Sequence, residues 1–194
     1  VVGVTLERLA EEALGFDGGW DARAVGERVE VAYAEGVDPL DAAALADAFD
    51  AALAFYVGDQ GFRLPPGLPA NRILAVVHAL PGFGGLTAGG TCGTEQVPFV
   101  VIDPSRLEDA DALHGVAAHE AFHAVQSAYA PSFVFGDTAP EARWLLEASA
   151  VFAEDELLGR EGRGDAQAAR WARTPWRALH TADGTGFDYG LWVL

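Results

Sequence analysis

The 194-residue chain contains one cysteine, no methionine and no lysine, and isoleucine only at Ile73 and Ile102. A lone Cys92 cannot close an internal disulfide, so a disulfide scaffold and a cysteine-rich zinc module are both excluded. Basic residues are scarce as well: 12 arginines face 29 acidic residues, a formal net charge of −17. That sign repels phosphate backbones and anionic lipid surfaces, so nucleic acid is not expected as a partner. Long apolar runs are missing too. Those at 73–77 and 97–102 fall far short of the roughly 20 residues a spanning helix needs, and no membrane insertion is expected. The chain starts at Val1 without an initiator methionine or a charged-then-apolar leader. Its last residues, from Tyr189 to Leu194, read as the start of a helix, which points to a piece of a longer protein.

What is present is ample apolar material. Half of the residues are hydrophobic (51%) and aromatics reach 10%, enough to offset the entropy of ordering the chain. Alternation predicts a strand over 28–34, and apolar composition predicts strands over 73–78 and 97–102. Asp38 and Pro39 supply an N-cap and first helical residue, and Leu40, Leu45, Phe49, Leu53 and Tyr56 recur at helical spacing up to Gly58. Pro65, Pro66 and Pro69 mark a loop, and the glycine-rich stretch 81–93 reads as a connection, without the G-K-[ST] ending of a phosphate loop. Asp109 or Asp111 caps a helix running to about Tyr129, and Pro131 lies beyond its end. Thr138-Ala-Pro-Glu141 has the form of a capping box opening a helix to about Leu158; weaker helices are expected at 5–14 and 166–179. The order implies an α+β fold in a single domain over 1–194. Within it, 1–27 is expected as an N-terminal extension, 28–130 as a small mixed sheet with a packed helix and a chemistry-bearing helix, and 131–194 as a helical half.

The residues that carry chemistry are His119-Glu120-Ala121-Phe122-His123. At about 100° per residue, the two histidines lie roughly 40° apart on a helix, with Glu120 within about 100° of both. Two imidazoles on one face form a metal clamp, and the glutamate beside them can reach a water held by the same ion. Leu113, Val116, Ala117, Ala118, Ala121, Phe122, Val125 and Ala128 surround this face as on a buried helix, where an unpartnered carboxylate and two imidazoles would be costly. A divalent cation satisfies them. Catalytic zinc takes three protein ligands and leaves a fourth position open. The third candidate is Glu147, on the apolar stripe of Trp144, Ala150 and Val151; Glu154, two turns on, is its rival, and Glu141 is explained as the capping-box residue.

H-E-A-F-H-A-V-Q followed by W-L-L-E-A-S-A-V-F-A-E-D resembles the gluzincin zinc metallopeptidases, over roughly 97–155. The resemblance implies a zincin-like fold, zinc held by His119, His123 and Glu147, and Glu120 as general base in peptide-bond hydrolysis. It implies a peptide or protein substrate cut as by an endopeptidase, and a secreted bacterial protein. It also implies that the strand 97–102 is a sheet edge pairing with extended substrate, and that a Tyr or His beyond the third ligand, Tyr189 or His180 here, stabilises the oxyanion. The chain departs from thermolysin-like enzymes at Val151, where they carry an Asp that orients a zinc histidine. Glu154 or Asp155 is left for that role. Cys92 reads as a loop thiol, or as the partner of a cysteine outside this stretch of chain. Two other readings stay open: a zinc hydrolase acting on another amide or ester, and a degenerate zincin or binding module using metal for stability alone. The intact Glu120 favours catalysis, and no oligomeric state is readable.

Overall fold

A computed structural model of the chain describes residues 19–20, 22–92, 95–135 and 140–159, without side chains at 91–92, 133 and 140–144. Five strands form one mixed sheet in the order β1-β2-β3-β5-β4. They are β1 (Ala22–Val25), β2 (Val29–Tyr33), β3 (Ile73–Val77), β4 (Gly85–Cys92) and β5 (Glu95–Ile102). The helices are α1 (Pro39–Leu53), α2 (Ala110–Ser127), the short α3 (Pro131–Phe135) and α4 (Pro140–Leu158). The mixed α/β character expected from the sequence is therefore present.

The three inner strands are parallel to one another, with Val31 opposite Ala75 and Ala75 opposite Val100. β3 is apolar throughout, and β5 from Val97 and β2 apart from Glu30 are so as well, because both sheet faces are covered, the usual state of parallel strands. Val29, Val31, Ile73, Ala75, Val100 and Ile102 share one core with residues of α1, α2 and α4. Ala32, Leu74, Val76, Phe99 and Val101 form a second cluster on the other face with Trp20. Asp38 caps α1 by accepting the Leu40 N–H at 2.9 Å, with Pro39 as its first residue. Leu45, Phe49 and Leu53 are wholly buried, whereas Leu40 is exposed. The α-helix stops at Leu53 rather than Gly58, and a wider π-type turn, Ala54–Asp59, follows and buries Tyr56.

Two expectations are corrected here. The stretch 81–93 is not a plain connection, because β4 occupies most of it and pairs antiparallel with β5 along its whole length. Glycine suits this strand because other elements press on it: a Cβ at Gly89 would lie within 2.8 Å of the Phe135 ring, and one at Gly85 only 2.7 Å from Glu120. As a result 97–102 is not a sheet edge, since β5 sits between β3 and β4, and β4 is the terminal strand among the described residues.

The sheet also begins earlier than 28. β1, inside the span expected as an extension, forms a hairpin with β2, and Asp50 of α1 accepts the backbone N–H groups of Glu27 and Arg28 at its turn. Gly26 has no room for a side chain because the Asp50 carboxylate lies against it. Asp50→Ala leaves two N–H groups without their acceptor and should lower unfolding stability by about 1–3 kcal/mol, read from the urea midpoint.

Asp109, rather than Asp111, caps α2, accepting the Ala112 N–H at 2.8 Å. The capping box at Thr138 and Glu141 and the helices expected at 5–14 and 166–179 lie outside the described residues or side chains. Among the described residues no helix is long and apolar enough to cross a membrane.

Candidate metal centre

Helix α2 is packed closely against its neighbours through small residues, with Ala117, Ala121 and Ala124 fully buried. That packing carries His119 and His123 inward, toward α4. There Glu147 meets them: one ligand atom from each of the three residues lies within 4.8 Å of the other two. The two imidazole Nε2 atoms are 3.1 Å apart, and Glu147 Oε2 is 3.4 Å from His119 Nε2 and 3.7 Å from His123 Nε2. Donors around a tetrahedral zinc, with bonds of about 2.0–2.2 Å, are separated by roughly 3.3 Å. The observed triangle brackets that edge length, so the three donors could hold a metal ion.

Burial alone would raise the Glu147 carboxyl, but hydrogen bonds and charge from His119 and His123 outweigh it and hold the group well below the usual carboxylate range. Glu147 is therefore ionised, as a ligand must be. The outer nitrogens of the imidazoles are held from behind. His123 Nδ1 lies 2.7 Å from Gln126 Oε1, while Gln126 Nε2 donates to the carbonyl of Leu146 at 3.2 Å and to Ser149 Oγ at 2.8 Å. The carbonyl can only accept, which fixes the amide orientation; Nδ1 is then the donor, and Nε2 is the nitrogen turned toward Glu147. Gln126 thus orients one imidazole and tethers α4 beside Glu147. Gln126→Leu should weaken zinc binding about 10- to 100-fold with the fold intact, measured by competition against a chromogenic chelator.

Glu154, one of the two acids left for orienting a histidine, faces the other imidazole, with its Oε2 3.6 Å from His119 Nδ1. It thereby addresses the outer nitrogen, whereas Glu147 addresses Nε2. Asp155 is also buried. Val151 lies between Glu147 and Glu154 on α4 and is buried without polar function.

Glu120 is only 5% exposed and points from α2 to the edge strand. There the Thr87 hydroxyl lies 2.8 Å from Glu120 Oε2 and 3.1 Å from the Glu120 backbone carbonyl. With His119, Glu120 lines a cavity of about 320 Å³ bounded by the start of β4, by α2 and by Val151 and Glu154 of α4. The segment is braced from the core side by Tyr56, whose hydroxyl donates to the Ala118 carbonyl at 3.2 Å and whose burial pushes the phenol above its ordinary pKa.

Structure thus brings together His119, Glu120, His123 and Glu147. Tyr189 and His180 lie outside the described residues. Thr87 and Gln126 were not marked by sequence. Gln126 carries a local signal, three residues after His123 on the same helix face; Thr87 carries none, because only strand pairing brings it to α2. No protein-family model, curated protein or solved structure matches the chain.

Proposed function

We propose that this chain is a zinc-dependent peptide hydrolase, an endopeptidase of zincin-like fold acting on extended peptide or protein substrate. The observation that supports it most is the convergence of two imidazoles and one ionised carboxylate from separate helices, beside a second, buried carboxylate that is not among the ligand atoms. A purely structural ion has no use for Glu120 at that place. The secreted bacterial origin implied by the resemblance belongs to the same proposal.

In this reading His119, His123 and Glu147 hold the ion, with Gln126 and Glu154 behind the imidazoles. Zinc, when bound, supplies a Lewis acid that favours ionisation of water and polarises a carbonyl. Glu120 takes the proton of the attacking water and later delivers it to the departing amine. Thr87 limits the rotation of that carboxylate by holding one of its oxygens. Terminal strand β4 leaves a row of main-chain groups with which an extended peptide pairs. This moves the substrate-pairing role from 97–102 to 85–92. Tyr189, with His180 as the alternative, is retained as the oxyanion donor.

A quenched fluorogenic peptide library tests the reading. Protein with one zinc per chain should cleave it, lose activity on dialysis against a strong chelator, and regain it with added zinc. A zinc-loaded chain that cleaves no member of a broad library overturns the assignment.

A further inference from the structure

The cavity beside Glu120 also holds a cation that the proposed hydrolysis does not use. Arg106 ends a short 3-10 turn, Pro104–Arg106, between β5 and α2, and its side chain lines the same cavity as His119 and Glu120. The guanidinium is seated against the bend that leads into β4: a Cβ at Gly84 would lie 2.9 Å from its Cζ and 2.9 Å from Nη2. The next residue, Gly85, bears the same relation to the Glu120 carboxylate, with 2.7 Å to Oε1. Consecutive Cα atoms are about 3.8 Å apart, so guanidinium and carboxylate are at most about 12 Å apart, within the reach of about three extended residues.

The acids nearby have other partners, and the Arg106 charge is the least of the influences that hold the Asp103 carboxyl below its usual range. Asp103, on the same turn, accepts the N–H groups of Leu80 and Ser105 and the Ser105 hydroxyl. Glu120 receives Thr87, and Glu154 faces His119. Arg106 itself is exposed. A planar guanidinium open to a cleft pairs with a carboxylate through two parallel N–H···O bonds.

We infer that Arg106 forms a carboxylate-recognising subsite, so that the favoured substrate is a peptide carrying an anionic group within about three residues of the bond cleaved. This rests on the hydrolase reading for the word cleaved, though not for the binding itself. The anion is either an acidic side chain or the free C-terminal carboxylate, which share the same chemistry at the guanidinium.

The test uses the zinc-loaded Glu120→Gln protein, so that binding is read apart from turnover. The probe is a dye-labelled peptide, Gly-Ala-Phe-Leu-Ala-Ala, in three forms: a C-terminal amide, a free C-terminus, and an amide with glutamate as last residue. At least one carboxylate form should bind about tenfold or more tightly than the plain amide. Whichever form gains identifies the source of the anion. Adding Arg106→Gln should abolish the preference, Arg106→Lys should keep part of it, and about 0.5 M salt should narrow it. Arg106 is exposed, so both variants should melt with the parent.

Equal affinity for the three forms, a preference that survives Arg106→Gln, or no binding up to about millimolar peptide would each overturn the subsite. Carboxylate preference in a chain whose parent form cleaves nothing would sink the hydrolase reading and leave the subsite standing. Cleavage with no such preference would do the reverse.

Discussion

Replacing Glu120 by glutamine is expected to reduce peptide hydrolysis by roughly 10²- to 10⁴-fold while one zinc ion per chain is retained. The substitution keeps the shape of the side chain and its contact with Thr87, because an amide oxygen accepts the hydroxyl as a carboxylate oxygen does. What disappears is the capacity to take a proton from water. The metal should be indifferent, since the ligand atoms that meet belong to His119, His123 and Glu147. Two measurements on one sample, zinc content by elemental analysis and the initial rate on the fluorogenic library, decide the point. If the variant cleaves as fast as the parent with zinc in place, Glu120 is not the base and the endopeptidase reading fails. If the parent is also inactive on the library, the endopeptidase reading fails and the other two readings stand, a hydrolase of another amide or ester and a module that uses metal for stability alone.

The second large effect distinguishes the two acidic residues of α4. Glu147→Ala should lower zinc affinity by more than the roughly 10- to 100-fold expected from outer positions. Glu154→Ala should stay within that range and keep one zinc per chain. The reason is geometric: Glu147 Oε2 lies 3.4 and 3.7 Å from the two Nε2 atoms, whereas the Glu154 contact is to the opposite nitrogen of His119. Thermal unfolding gives an independent readout. An ion that binds only the folded chain stabilises it by about 4 kcal/mol at a thousandfold excess over Kd, so zinc should raise the parent's midpoint and leave that of Glu147→Ala nearly unmoved. The reverse pattern would make Glu154 the third ligand and move the centre along α4 by two turns.

The comparison of sequence with structure divides along the range of the interactions involved. The helix from Ala110 and the face shared by His119 and His123 were readable because helical periodicity acts over three and four residues. Similarly, Asp38 and Pro39 declared the start of α1, and apolar composition declared β3. Thr87 and Arg106 were not readable as neighbours of Glu120: each lies more than ten positions away, and no local pattern links them. The hairpin strand β1 was missed because Ala22–Val25 is short and stays partly exposed, and it is fixed to the sheet partly through Asp50 on a distant helix.

Sequence by itself determined the face of α2 shared by His119 and His123, the apolar strands β3 and β5, the acidic character that disfavours nucleic acid, and the acidic candidates Glu147 and Glu154. Only the tertiary structure decided which acid reaches Nε2, that Gln126 holds Nδ1 of His123, and that the glycine-rich stretch is a strand bearing Thr87, outermost among the described residues. The physical reason is the same throughout. Helical facing and capping are set by neighbours along the chain, whereas strand order, glycine close approach and the meeting of two helices depend on groups that come together only when the core is packed.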